Sequence, residues 1–135
     1  MSNTVKYVSA GILFLYLASV IALCIIQTES LPQVEVKWLG IPTDKIVHFI
    51  MFLPFPILTW LAFFKEERIK WKKVGLCAII LLCGMVLAAG TEVAQTFTEY
   101  RDGDILDFAA DCMGMATGLI IVVIASFISR KRHGK

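Results

Sequence analysis

The amino-acid sequence predicts an all-α membrane protein, a bundle of four transmembrane helices that forms one domain over residues 1–135. Apolar residues make up 58% of the chain and charged residues only 18%, whereas soluble domains are about 45 to 50% apolar. Helices that cross a membrane need about 20 mainly apolar residues. Four segments reach this length and leave little sequence for a soluble domain: 5–26, 44–64, 74–97 and 105–128.

The distribution of Lys and Arg predicts that both termini are cytoplasmic. Of the 13 Lys and Arg residues, only Lys37, Lys45 and Arg101 lie on the side opposite the termini. Basic residues in short connections mark the cytoplasmic side of a membrane protein. The basic runs directly flank membrane segments, where such runs are typical of topology signals that also meet anionic headgroups. We therefore expect no nucleic-acid partner.

Polar residues open the second predicted helix. Thr43 is expected to cap this helix, and Asp44 is expected to favour its positive end. Lys45 follows, and His48 lies one turn deeper on the same face as Asp44. This i to i+4 relation allows the Asp44 carboxylate to orient or charge the imidazole.

Further polar residues lie at the matching ends of the third and fourth predicted helices. Glu92 and Gln95 are three residues apart and share one face near the outer end of the third helix. The fourth helix carries a single stripe that is acidic in its outer half and small in its inner half, formed by Asp104, Asp107, Asp111, Gly114 and Gly118.

The polar faces of these three helices are predicted to form one pocket that opens outward. A charge at the middle of a membrane helix costs about 2.5 to 3.5 kcal/mol, so such side chains normally face the bundle interior or water and are paired. Lys45, His48 and Arg101 are the expected partners of the acids. The predicted ligand-binding residues are Asp44, Lys45, His48, Glu92, Gln95, Arg101, Asp107 and Asp111.

Structural roles are the alternative for several polar residues. Asp104 with Asp107 resembles a capping box at a helix start. Arg101 could extend to lipid headgroups, and Gln95 could form an interhelical hydrogen bond. Glu92 and His48 resist such explanations because both lie inside a helix and neither is placed to cap one.

Prolines and small residues are expected to shape the bundle around the pocket. Pro54 and Pro56 each lack a backbone N–H and are expected to interrupt the second helix, with a bend that widens its outer half. Ala110, Gly114 and Gly118 form a ridge of small residues that predicts close helix contact below the acids.

Ordered motifs on three helices resemble a known family. DKIVH at 44–48, GTEVAQ at 90–95, YRDGDILD at 100–107 and the glycines Gly114 and Gly118 are together similar to the VanZ-like family of small bacterial membrane proteins. The resemblance covers residues 44–118, about half of the chain. It implies a multi-pass protein of the bacterial cytoplasmic membrane and cell envelope, with the pocket on the extracytoplasmic side. It also implies a link to antibiotic resistance, through reduced susceptibility to the glycopeptide teicoplanin. The chain departs from the family at Asp111, where Asn is usual.

Three functional hypotheses remain open. The first is a binding or modulating protein whose pocket recognises a membrane-lipid headgroup or a lipid-linked cell-wall precursor, with Arg101 and Lys45 on phosphate. The second is a membrane-embedded enzyme, a hydrolase or transferase, in which His48 acts as general acid or base and the carboxylates activate water or hold a hard divalent cation. The third is ion or proton movement, which the apolar inner halves of the helices disfavour. The sequence indicates no cofactor, and it carries no metal-binding motif.

Overall fold

A computed structural model of the chain describes residues 3–25, 37–38, 40–63, 70–97 and 104–133. In this part of the chain, helices account for nearly all residues, and the only strands are two of two residues each. The elements in order are α1 (Asn3–Ile25), β1 (Lys37–Trp38), β2 (Ile41–Pro42), α2 (Thr43–Phe52), α3 (Pro54–Phe63), α4 (Lys70–Thr96) and α5 (Ile105–His133).

Within the residues that the structure describes, four helical stretches are long and apolar enough to cross a membrane: Thr4–Cys24, Thr43–Phe63, Val74–Thr96 and Ile105–Ile128. Helices α2 and α3 together form the second of these spans. The predicted all-α bundle of four membrane helices is therefore confirmed. The orientation of the termini, which rests on the basic residues, stays a prediction.

Two helices extend beyond the predicted segments. Helix α4 begins at Lys70 and helix α5 continues to His133, so both run into the basic flanks. Lys and Arg are good helix formers, and a helix satisfies its backbone hydrogen bonds internally. The end of the apolar run therefore need not end the helix.

The second span is broken once, at Leu53, between α2 and α3. Pro54 follows the break directly and cannot donate a backbone hydrogen bond. Pro56 lies in the first turn of α3, where a missing N–H is tolerated, so the prediction that both prolines interrupt the helix is wrong for Pro56. The Tyr16 hydroxyl of α1 donates to the Met51 carbonyl beside the break, at 2.6 Å.

A short hairpin leads into α2. Strands β1 and β2 pair antiparallel, with Lys37 opposite Pro42 and Trp38 opposite Ile41. Gly40 in the turn has a φ of 82°, a conformation that glycine adopts without steric cost. Helix α2 then includes Thr43 as its first residue, and Pro42 takes the cap position without a side-chain hydrogen bond. The expectation that Thr43 caps the helix is therefore wrong.

Glycines on α5 bring this helix into direct contact with the backbone of the second span. A Cβ atom at Gly114 would lie 2.2 Å from the Phe49 carbonyl oxygen, and one at Gly118 would lie 2.2 Å from the Leu53 carbonyl oxygen. Only glycine fits at such distances. The core beside this contact contains Phe52, Met115 and Ile80, all fully buried.

Candidate ligand-binding site

Three helix ends meet at one end of the bundle: the start of α2, the end of α4 and the start of α5. Their side chains form a group of ionisable residues, which we call the polar cluster, linked by contacts of 3.9 Å or less. Its members are Asp44, Lys45, His48, Glu92, Asp104, Asp107 and Asp111. Asp104 was placed on the acidic stripe of the fourth helix but was not among the predicted ligand-binding residues. Its place three residues before Asp107, on the same stripe, was the signal that could have included it.

His48 lies at the centre of the polar cluster and is 2% exposed. Its Nδ1 atom is 3.0 Å from Asp111 Oδ1 and 3.9 Å from Glu92 Oε1. Its Nε2 atom faces Asp107 Oδ2 at 3.9 Å. Each ring nitrogen therefore faces a carboxylate. Asp111 on α5, rather than Asp44 on the same helix, is the carboxylate at hydrogen-bond distance from the imidazole.

Lys45 neutralises the outer part of the cluster. Its ammonium group donates to Asp104 and, at 2.6 Å, to Asp107 Oδ1, and it lies 3.7 Å from Asp44 Oδ2. The Lys45 side chain is 18% exposed and that of Asp107 is 6% exposed. Contact with carboxylates on α5 makes Lys45 a link between α2 and α5. This differs from the expectation that Lys45 is available to hold a phosphate.

The start of α5 combines capping with contacts to a second helix. Asp104 accepts a hydrogen bond from the Leu106 N–H at 2.8 Å, as an N-cap aspartate does. In a capping box the backbone N–H of the cap residue bonds to a side chain three residues later, here Asp107. Instead, the Asp104 N–H donates to Glu92 Oε2 on α4, at 2.9 Å. Glu92 of α4 therefore accepts the backbone hydrogen bond at the start of α5 that Asp107 would accept in a capping box. The Asp107 carboxylate contacts Lys45 instead.

Burial increases from the rim of the cluster to its floor. The side chains of Asp44 and Asp104 are 41% and 40% exposed, whereas Asp111 is 0% exposed. Hydrogen bonds from Lys45 and from the Leu106 N–H hold the pKa of Asp104 below its ordinary value. The cluster therefore has an accessible rim and a closed floor.

Two carboxylate oxygens on the floor lack a hydrogen-bond partner among the described residues. They are Glu92 Oε1 and Asp111 Oδ2. Buried charged oxygens are costly when they are not paired. The cluster holds five acids against Lys45 and His48. It is therefore suited to a ligand that brings hydrogen-bond donors or positive charge.

Two sets of side chains in the described part of the chain have ligand atoms close enough to hold a metal ion. Asp44, His48 and Asp107 form one, and His48, Glu92 and Asp111 form the other. In each set the ligand atoms lie within 4.8 Å of one another. Both sets include His48. The first set lies on the Nε2 side of the imidazole ring and the second on the Nδ1 side.

The predicted ligand-binding residues can be followed individually. The structure brings together six of them: Asp44, Lys45, His48, Glu92, Asp107 and Asp111. Gln95 is buried on α4, one turn after Glu92. Arg101 lies outside the described residues. The role of all eight residues in ligand binding stays a prediction.

Fold and site together define the class of the protein. It is a multi-pass membrane protein with a buried polar cluster that three helices share. Within that class, the chain belongs to the VanZ/LLP1 family, whose model matches residues 12–126. This match confirms the resemblance found in the sequence, and it extends that resemblance into α1.

One relative is an uncharacterized protein of the fission yeast Schizosaccharomyces pombe. It is 28% identical over 81 residues, which cover 60% of this chain and 47% of the relative. The chain thus matches about half the length of that protein. A relative in a yeast means that family membership alone does not assign the chain to a bacterium. No solved structure matches the chain.

Proposed function

We propose that this protein binds the polar head of a membrane lipid, a phospholipid or a lipid-linked cell-wall precursor, at the polar cluster. Its acids would accept hydrogen bonds from amine, sugar or peptide groups of the head. Arg101 would hold its phosphate, because guanidinium groups pair well with phosphate. Lys45 is already engaged by carboxylates, so it contributes by positioning Asp104 and Asp107.

The observation that carries this proposal is the polar cluster itself, which has two acids exposed at its rim and two buried carboxylate oxygens without a donor among the described residues. An apolar cavity lies at a similar depth in the bundle. The cavity has a volume of about 360 Å³ and lies between the last turns of α1 and α4. Its lining includes Gly90, Thr91 and Ala94, which lie at the depth of Glu92 but, by helical spacing, on the opposite face of α4. The cluster suits a polar head and the cavity suits an acyl chain, and filling the cavity tests whether one lipid occupies both.

Mass spectrometry of lipids that co-purify with the protein in mild detergent tests this proposal. We expect one lipid class to be enriched over its abundance in the membrane extract. Enrichment should fall in Asp44→Asn, at the exposed rim, in Arg101→Ala, and in Ala94→Phe, which fills the apolar cavity. The control Lys37→Ala changes an exposed charge outside the cluster and should retain the lipid. Lipid profiles that equal the bulk membrane in every variant would refute the proposal.

We further propose that the site faces the outside of a bacterial cytoplasmic membrane and that lipid binding there lowers susceptibility to teicoplanin. The basic residues on the side of the termini support this orientation. Expression in a susceptible strain should raise the inhibitory concentration of teicoplanin, and Asp44→Asn at equal abundance should not. Labelling of single cysteines introduced at the termini and at Lys37 by an impermeant reagent checks the orientation. Labelling of the termini in intact cells would contradict it.

Catalysis is the second candidate function, and the contact between His48 and Asp111 favours it. A carboxylate at 3.0 Å from Nδ1 is placed to orient an imidazole that acts as a general base through Nε2. Under this hypothesis the bound lipid is hydrolysed or its headgroup is transferred. Purified protein should then convert the enriched lipid, and His48→Gln should abolish turnover while binding persists. Lipid recovered unchanged after prolonged incubation with the wild-type protein would exclude this role.

A further inference from the structure

A group of three buried side chains lies on the Nδ1 side of His48. His48, Glu92 and Asp111 come from three different helices, and one ligand atom of each lies within 4.8 Å of the others. Two acids in such a position repel each other and are costly to bury without positive charge. We infer that these three side chains bind a single divalent cation.

The unsatisfied oxygens of the polar cluster coincide with this position. Glu92 Oε1 and Asp111 Oδ2 are buried and have no hydrogen-bond partner in the described part of the chain. Asp111 is 0% exposed, and Glu92 is 9% exposed. Their remaining oxygens are engaged, Glu92 Oε2 with a backbone N–H and Asp111 Oδ1 with His48. A cation would satisfy the two oxygens that the protein itself leaves without a donor.

Distances between the ligand atoms fit an ion of ordinary size. His48 Nδ1 is 3.0 Å from Asp111 Oδ1 and 3.9 Å from Glu92 Oε1. Two atoms that each lie about 2.1 Å from an octahedral ion are separated by about 3.0 Å when adjacent and about 4.2 Å when opposite. Small side-chain rotations therefore suffice to complete the site.

Two of the three ligands of the inferred ion have a further contact on the side away from it, as in established metal sites. The Asp104 N–H fixes Glu92 through Oε2 at 2.9 Å. Asp107 lies 3.9 Å from His48 Nε2, on the side where a ligating histidine donates its N–H, and Lys45 fixes Asp107 in turn at 2.6 Å. When the ion is bound, the His48 proton would lie on Nε2, and the 3.0 Å hydrogen bond between Nδ1 and Asp111 Oδ1 would become a contact between two ligand atoms.

The Nε2 side of His48 is a poorer site. Asp44, His48 and Asp107 also form a group with metal-ligand spacing. However, the Lys45 ammonium lies 3.7 Å from Asp44 and 2.6 Å from Asp107, so a positive charge already occupies that position. The cation belongs on the side that Lys45 does not reach.

The ligand types favour a manganese-like ion. Carboxylates suit Mg²⁺, Ca²⁺ and Mn²⁺, and imidazole suits the transition metals. Mn²⁺ belongs to the ions that accept both, in octahedral geometry. This site does not depend on lipid binding. Where both occur, the ion supplies positive charge that lets an acidic site hold a phosphate.

Titration of delipidated protein with MnCl₂ after EDTA treatment tests the inference, with free Mn²⁺ measured by electron paramagnetic resonance. We expect one bound Mn²⁺ per chain and a thermal midpoint Tm that rises with Mn²⁺, because a ligand that binds only the folded state stabilises it. Asp111→Asn, Glu92→Gln and His48→Gln should each weaken Mn²⁺ binding at least tenfold. Mg²⁺, Ca²⁺ and Zn²⁺ are the competitors.

Asp104→Asn is the matched control, because it removes a charge from the same cluster while keeping a good cap residue and leaving the three ligands intact. It should change Mn²⁺ affinity less than threefold. Circular dichroism without metal shows which variants are folded. Absence of Mn²⁺ binding by the wild-type protein at millimolar concentration, or equal binding by the folded ligand variants, would overturn the inference. Lipid enrichment measured in EDTA tests the proposed lipid binding without a metal ion, so a failure of the metal site can be told apart from a failure of lipid binding.

Discussion

Helix α5 contacts the second span in two different ways along its length. In its first two turns, acidic side chains reach Lys45 and His48 on α2. One to two turns further on, Gly114 and Gly118 place the helix backbone directly against the carbonyl oxygens of Phe49 and Leu53. Helix α5 and the second span are therefore joined by charged side chains at one end and by direct backbone contact at the other.

This difference separates adjustable contacts from fixed ones. Charged side chains can rotate, exchange partners and admit a ligand. A contact between two backbones has no such freedom, because protein interiors are densely packed and a single added methyl group is felt. We conclude that the glycine contact fixes the distance between α5 and the second span, and that the polar cluster lies where side chains can still rearrange.

The largest effect is expected where the backbones touch. In Gly114→Ala the new Cβ atom would meet the Phe49 carbonyl oxygen at 2.2 Å, so α5 must move away. Overpacking costs about 1 to 3 kcal/mol, and we expect about 3 kcal/mol here because the obstructing atom belongs to the backbone. Unfolding of the purified protein in detergent measures it. Gly11→Ala, which meets nothing within 4 Å, is the control and should lose no stability.

A smaller effect is expected from the charged contact. Lys45→Met leaves Asp107 buried without its cation. Breaking a fully buried pair costs about 3 to 5 kcal/mol and an exposed pair about 0 to 1 kcal/mol. With Lys45 18% exposed, we expect about 2 kcal/mol. The double variant Lys45→Met, Asp107→Asn should recover much of the loss in free energy of unfolding. A double variant as unstable as the sum of both single variants would show that the two side chains are not coupled.

The helix cap is expected to contribute less again. Asp104→Ala removes the hydrogen bond to the Leu106 N–H and should cost about 1 kcal/mol of unfolding free energy. Asp104→Asn keeps a good cap residue and should cost less. Equal losses in the two variants would show that the charge of Asp104, and not its capping, carries its contribution.

The smallest effect concerns pH. The pKa of Asp104 is lowered chiefly by its hydrogen bond from Lys45, so the ionised form is favoured in the folded state. The resulting stability is present above the usual aspartate pKa of about 3.9 and is lost as pH falls through the lowered pKa. Stability of the wild-type protein should therefore decline more below pH of about 4 than that of Asp104→Asn. Parallel declines would contradict this assignment.

The sequence was sufficient for the fold class because length and hydropathy decide which segments enter a membrane. It also placed Gly114 and Gly118 correctly at a close helix contact, since small residues at this spacing share one face. It did not locate the single break at Leu53. Both prolines lack a backbone N–H, so the sequence does not distinguish them. Because α3 begins at Pro54, Pro56 lies in its first turn, where no donor is needed.

The candidate site was predictable as a set of residues but not as a set of contacts. Spacing placed His48, Glu92 and Asp111 on faces that converge. It could not show that Asp111, and not Asp44, approaches His48, because that choice depends on the rotation of α5 against α2. Nor could it show that Glu92 caps a helix to which it does not belong. Contacts between helices follow from packing, which a local pattern does not contain.

The hydrogen bond from the Asp104 N–H to Glu92 has an evolutionary consequence. It ties the end of α4 directly to the beginning of α5 across the connection between them. Lengthening such a connection costs only about 0.6 kcal/mol per doubling. Natural variants that keep Arg101 should therefore tolerate insertions in this connection better than an exchange at Glu92 or Asp104.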